Sequence, residues 1–139
     1  MKTLKLALGL CAGLVPAGVV RADAPSCYIA VAALDTISQK APMLNAGGVQ
    51  PKVALSLIGT GVEMTQSFLV DDGWSEAELA PFQAILDMRD GPARGGPDVP
   101  TEEIPGLVSR HSRDFVAVMA EKCPNTKLPD LSALPAPAE

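Results

Sequence analysis

Asp71-Asp72-Gly73-Trp74-Ser75-Glu76-Ala77-Glu78-Leu79 holds the strongest local signal in the chain. Ser75 followed three positions later by Glu78 is a capping box, in which each residue serves the other's backbone N–H. Trp74 and Leu79 flank it at the positions of a hydrophobic staple. A helix therefore starts here, and Phe82, Ile85 and Leu86 continue its apolar stripe. Pro81 lies inside that stripe and predicts a kink or break near Ala80. Gly91 ends the segment. Upstream, Asp71-Asp72-Gly73 is a turn that closes the preceding segment.

That preceding segment, Lys52 to about Val70, carries two apolar stripes. Ala54, Leu57, Ile58, Gly61, Met64 and Phe68 form one; Leu55, Val62 and Leu69 form the other. A helix apolar on several sides is expected to be central and buried. The rival reading makes Val53–Ile58 a strand and Gly59-Thr60-Gly61 a turn, as in the opening of a dinucleotide-binding unit. That fingerprint needs a third glycine where Met64 stands, and further strands to build a sheet. The helix reading is preferred.

Ser26–Lys40 also has helical spacing, through Cys27, Val31, Leu34, Ile37 and Ala41, with Asp23 or Ser26 as cap. Pro42, Asn45, Gly47, Gly48 and Pro51 mark a loop. Residues 90–100 hold three prolines and three glycines and read as a long mobile loop. A last helix starts between Thr101 and Pro105 and ends at Lys122. Ile104, Val108, His111, Phe115, Val118 and Met119 line one of its faces, and Glu102, Glu103 and Lys122 suit its dipole. The final sixteen residues contain Pro124, Pro129, Pro135 and Pro137 and read as an extended tail, with Leu128, Leu131 and Leu134 resting on the domain.

The chain of 139 residues begins with what reads as a cleaved signal peptide. Lys2 and Lys5 form a basic start, and Leu6 to Val20 is uncharged. Small residues then offer a cut after Ala22 or after Ala24. Proline would follow a cut after Ala24, so Ala22 is preferred. The apolar run is shorter than the roughly 20 residues of a membrane span. The expected organisation is a signal peptide over 1–22, a helical domain over 23–123 and a proline-rich tail over 124–139. Cys11 leaves with the signal. Cys27 and Cys123 remain, an even pair for an oxidising compartment. Neither Cys-x-x-Cys nor Cys-x-x-Cys-His occurs. The expected fold is all-α: a small four-helix up-down bundle, in which Cys27 and Cys123 reach the same end and bridge.

Removing Lys2, Lys5 and Arg21 takes the basic residues from 11 to 8 against 16 acidic ones, and the formal charge from −5 to −8. An acidic chain without a basic patch argues against nucleic acid and anionic membrane surfaces as partners. His111 is the single histidine. As a general base it lacks convergent partners, because Ser112 and Asp114 are too near it on one helix. As a metal or haem ligand it has only methionines for company, Met119 lying two turns away. Trp74 is either an interface anchor or the packing partner of Leu79. The carboxylate pairs sit at turns and helix starts, where capping and dipole effects explain them. No cofactor or metal is implied by any spacing.

The plan is similar to small helical periplasmic chaperones, inhibitors and immunity factors, in architecture alone. The leading expectation is a non-enzymatic binding protein of the cell envelope, periplasmic or secreted, whose partner is another envelope protein. The alternatives are a small-ligand, metal or haem carrier using His111 and a methionine, and a small enzyme with His111 as general base.

Overall fold

The computed structural model describes residues 23–139; the expected signal peptide lies outside the described residues. Among the described residues there are five helices: α1 (Pro25–Gln39), α2 (Ala41–Leu44), α3 (Gln50–Asp71), α4 (Glu76–Asp90) and α5 (Ile104–Lys122). Short 3-10 turns at Pro92–Arg94 and Thr101–Glu103 precede α5. No strand occurs among the described residues. The strand reading of Val53–Ile58 is overturned, since α3 runs unbroken through Gly59 and Gly61.

The capping box forms as the sequence predicts. Ser75 Oγ accepts from the Glu78 backbone N–H at 3.1 Å, and Glu78 Oε1 accepts from the Ser75 N–H at 2.9 Å. Trp74 and Leu79 are both buried beside it. The break expected at Pro81 does not occur, and α4 continues to Asp90. Proline removes one donor there, the one that would serve the Ala77 carbonyl four residues back. Ala77 is exposed, so water can satisfy that carbonyl.

Prolines start helices more often than they end them here. Pro25, Pro42, Pro51 and Pro105 each occupy the first or second position of a helix, where the missing N–H has no intrahelical partner to lose. The stretch Pro42–Pro51, expected as loop, therefore contains most of α2 and the first residues of α3.

The expected caps of α1 have other work. Ala24 is the N-cap residue, and no side chain caps the helix. Ser26 is buried, and its Oγ accepts the Trp74 indole N–H at 3.1 Å. The Asp23 carboxylate accepts from the Asn125 backbone N–H at 2.9 Å and from the Thr126 hydroxyl, joining the first described residues to the segment after α5.

Packing runs α1 on α3, α3 on α4 and α4 on α5, with α2 against α3. Leu34 and Ile37 of α1, Ile58, Val62 and Leu69 of α3, Phe82 and Ile85 of α4, and Phe115 and Met119 of α5 are all buried. Phe82 and Phe115 stack with ring centroids 3.8 Å apart, and Trp74 lies 5.9 Å from Phe115. Lys122 Nζ sits 5.0 Å from the Trp74 ring and pairs with Glu78 at 3.0 Å. Beside this cluster Cys27 and Cys123 are bonded, their Cα atoms 6.0 Å apart across a sequence separation of 96.

Residues 91–100 are tied down rather than free. Gly96 N–H donates to the Gly91 carbonyl at 2.7 Å, Asp98 pairs with Lys52 of α3 at 3.4 Å, and Val99 packs on the core. A Cβ at Gly91 would lie 2.8 Å from the Asp87 carbonyl oxygen, so the turn needs glycine. The C-terminal tail is also docked. Leu131 and Leu134 are buried, and Leu128 packs partly against the core. Ser109 Oγ donates to the Pro135 carbonyl at 2.7 Å, and Ala138 N–H donates to the Gly106 carbonyl at 2.9 Å.

Two outcomes follow. Reducing the disulfide removes a closure worth roughly 4–5 kcal/mol in the loop-entropy treatment, so the melting temperature falls on reduction; an unchanged value overturns the structural role. Ending the chain after Pro129 exposes the pockets of Leu131 and Leu134. Burying one leucine is worth roughly 1.5–3 kcal/mol, so the truncated protein unfolds at lower urea concentration than the full chain, and an equal midpoint shows the tail to be dispensable.

Candidate functional site

The stripe expected to be wholly internal is split by the structure. Ala54 and Ile58 are buried, with Leu55, Val62 and Leu69 beside them, but Leu57, Met64 and Phe68 are exposed. This corrects the expectation of a central, enclosed helix. The physical reason lies in the packing: α1, α2, α4 and α5 all contact α3, yet together they cover one side of it. Val53 is 45% exposed, Leu57 47%, Met64 63% and Phe68 58%. At 100° per residue these four fall within one narrow arc, away from the buried arc of Leu55, Ile58, Val62 and Leu69.

Between Val53 and Phe68 the arc carries no charge; Asp71, the exposed last residue of α3, is in line with it at the C-terminal end. The charged residues flanking its middle, Lys52 and Glu63, turn toward neighbouring elements. Lys52 pairs with Asp98, and Glu63 accepts from Arg89 of α4 at 3.2 Å. Arg89 lies across α3 at Gly59, where a Cβ would come within 2.5 Å of its Cδ. Its guanidinium is held charged above its ordinary value, first by its hydrogen bond to Asp90 and then by Glu63, against the cost of burial.

Gly61 stands in the exposed arc. A mid-helix glycine costs about 1 kcal/mol relative to alanine. A Cβ there would meet only Thr36 Cγ2, at an ordinary 3.8 Å. Neither backbone conformation nor internal packing requires a glycine at this position. Tyr28 and Ile29 of α1, also exposed, extend the apolar surface at the Phe68 end. Helix α3 is long and apolar enough by composition to cross a membrane, with a mean hydropathy of 1.3 over its most apolar window and 33% of that window buried.

The residues singled out in the sequence are not brought together. Trp74 is buried, so it is a packing residue and offers no exposed anchor. Met119 is fully buried in the core, and His111 is half-buried two turns before it. Two turns of one helix separate them by about 11–12 Å along the axis. Among the described residues no group of three or more His, Cys, Asp or Glu side chains converges as a metal site would require. Burial, and then the Arg110 charge, lower the His111 imidazole from its ordinary value, with Asp114 opposing. Cys27 and Cys123 are joined in the disulfide.

A groove of about 700 Å³ runs between α3 and α4, lined by Gln66, Val70, Glu76, Gln83 and Asp87 among others. Gln66 donates to Gln83 at 2.9 Å and Gln83 to Asp87 at 2.9 Å, so its polar groups mostly serve one another. The Gln66 Oε1 atom is buried and has no hydrogen-bond partner among the described residues. The groove holds no histidine, cysteine or serine nucleophile beside a base.

No family model, no curated protein and no solved structure matches the chain.

The lowered His111 value has a sign that can be read. The folded protein resists protonating the ring while the unfolded chain binds the proton freely, so stability declines as pH falls through 6.5. The variant His111→Gln flattens that part of the profile in urea titrations on either side of pH 6.5. An identical slope in both proteins assigns the decline to other groups.

Proposed function

We propose that the chain is a non-enzymatic interaction protein of the cell envelope, acting in the periplasm or after secretion. The observation that carries this reading is the uncharged face of α3. Val53, Leu57, Met64 and Phe68, with Tyr28 and Ile29, expose roughly 600 Å² between them, at about 200 Å² per large side chain. Typical monomers have a largest apolar patch of roughly 300–600 Å². A patch at the top of that range, flanked by charged residues, is a contact-site candidate, since the largest apolar patch of a monomer is often functional.

Export supports the same reading. The basic start, the apolar run and the small residues at Ala22 and Ala24 form a signal peptide, and the Cys27–Cys123 bond suits an oxidising compartment. The four long helices are read as an up-down bundle, with α2 inserted in the first connection. In that arrangement the disulfide closes one end and the face of α3 is carried on a rigid scaffold.

A photo-crosslinking residue at Leu57, in the native envelope, tests the reading. Adduct is expected at Leu57, and none at the control position Asp114, which is exposed on α5. No adduct at Leu57, or equal adduct at both, overturns the proposal.

A further inference from the structure

The partner of the α3 face, we infer, is a second copy of this chain, paired through α3 about a two-fold axis at Thr60–Gly61. The inference rests on the interaction reading above and names the occupant of that face.

The argument begins with spacing. Val53 and Phe68 lie equally far from the Thr60–Gly61 peptide bond, one before it and one after, and so do Leu57 and Met64. All four are exposed on one arc. The stripe is therefore symmetric under reversal of the helix direction. An isologous contact asks for this, because residue i meets residue j of the second copy while j meets i. With the axis at the centre, Val53 lies opposite Phe68 of the second copy and Leu57 opposite Met64. A smaller side chain faces a larger one at the outer pair.

The centre of the stripe fits a helix crossing. Two helices approach most closely at their crossing point, and small residues there let the backbones come together. Gly61 occupies it, and the fold of the single chain supplies no reason for glycine there.

Charge restricts where a second copy can dock. The expected mature chain carries −8, so two copies repel across most of their surfaces. The stretch of the α3 face from Val53 to Phe68 carries no charge of its own, Lys52 and Glu63 beside it being engaged with Asp98 and Arg89, and Asp71 lies beyond its end.

The area is sufficient. Burying the four α3 residues on both copies completely, with Tyr28 and Ile29 at each end, removes about 1,200 Å² in total, against the roughly 1,000 Å² that a specific interface should clear. Helix α1 runs opposite to α3, because Trp74, just after α3, bonds Ser26 at the start of α1. With Thr36 beside Gly61, Ile29 falls level with Phe68. Tyr28 and Ile29 therefore stand at the rim of the same contact.

The test is sedimentation velocity on the exported chain without its signal peptide, across a concentration series. Twice the monomer mass is expected. Leu57→Glu and Met64→Lys should each reduce the protein to monomer while helical content and melting remain intact, since both positions are exposed. The double variant Leu57→Glu/Met64→Lys should recover the dimer, because the two-fold places each new carboxylate opposite the second copy's new ammonium. A monomer at every concentration overturns the inference. So does a dimer that survives both single variants, a double variant that stays monomeric, or a native protein that sediments with phospholipid vesicles instead of with itself. If the native chain is monomeric yet crosslinks from Leu57 to a different envelope protein, the second copy alone is rejected. If nothing crosslinks, the interaction reading falls with it.

Discussion

One corner of the molecule holds the ends of all four long helices. Cys27, in the first turn of α1, is bonded to Cys123, which caps α5. Trp74, between α3 and α4, donates to Ser26 and lies against Phe115. Lys122 covers the same indole and pairs with Glu78, the third residue of α4. The disulfide limits how far this corner opens when the chain unfolds, and the aromatic cluster supplies apolar contact at the same place. The local caps matter because they deliver each helix to that corner. The capping box starts α4 there, and the Asp23 contacts with residues 125 and 126 hold the two chain segments outside it together.

Closing the helices at this corner decides which surface of α3 is left over. The buried arc of α3 is shared among α1, α2, α4 and α5, while its outer arc has none of them. Such a surface costs little in the folded monomer, since exposed side chains stay hydrated in both folded and unfolded states. It is costly in a crowded compartment, where apolar area invites unspecific association. Selection for stability alone would replace Gly61 with alanine and the outer residues with polar ones. The combination of a helix-weakening glycine with four exposed apolar residues around it favours a surface kept for contact.

What could be read from residue order follows interaction range. The capping box was legible because both partners lie within four residues, and the stripe Cys27, Leu34, Ile37 because helical period is local. The pairing of Cys27 with Cys123 was legible because, with Cys11 assigned to the expected signal peptide, the two remaining cysteines allow one bond. Ser26 was misread as a cap: its partner, Trp74, is forty-eight positions away, and a short hydroxyl side chain near a helix start looks the same in either role. The break at Pro81 was expected from the lost hydrogen bond, but Ala77, whose carbonyl loses its donor, is an exposed residue. The anchored loop at 91–100 depended on Lys52 of α3, which composition cannot indicate. The tail's leucines were visible, while the seat made by Gly106 and Ser109 was not.

The candidate face was hidden for a different reason. Periodicity reports that a side of a helix is apolar, but not whether anything covers it. In α3 both stripes are apolar, and hydropathy alone favoured burial of both. Only the placement of the other helices separates them. Once they are separated, a second pattern becomes readable in the sequence itself: the outer four residues are symmetric about Thr60–Gly61, whereas the buried set Leu55, Ile58, Val62 and Leu69 is not. Packing within one chain imposes no such symmetry, because α3 meets different neighbours along its length. A two-fold contact does impose it, and that difference links the residue order of α3 to its use as a surface rather than as core.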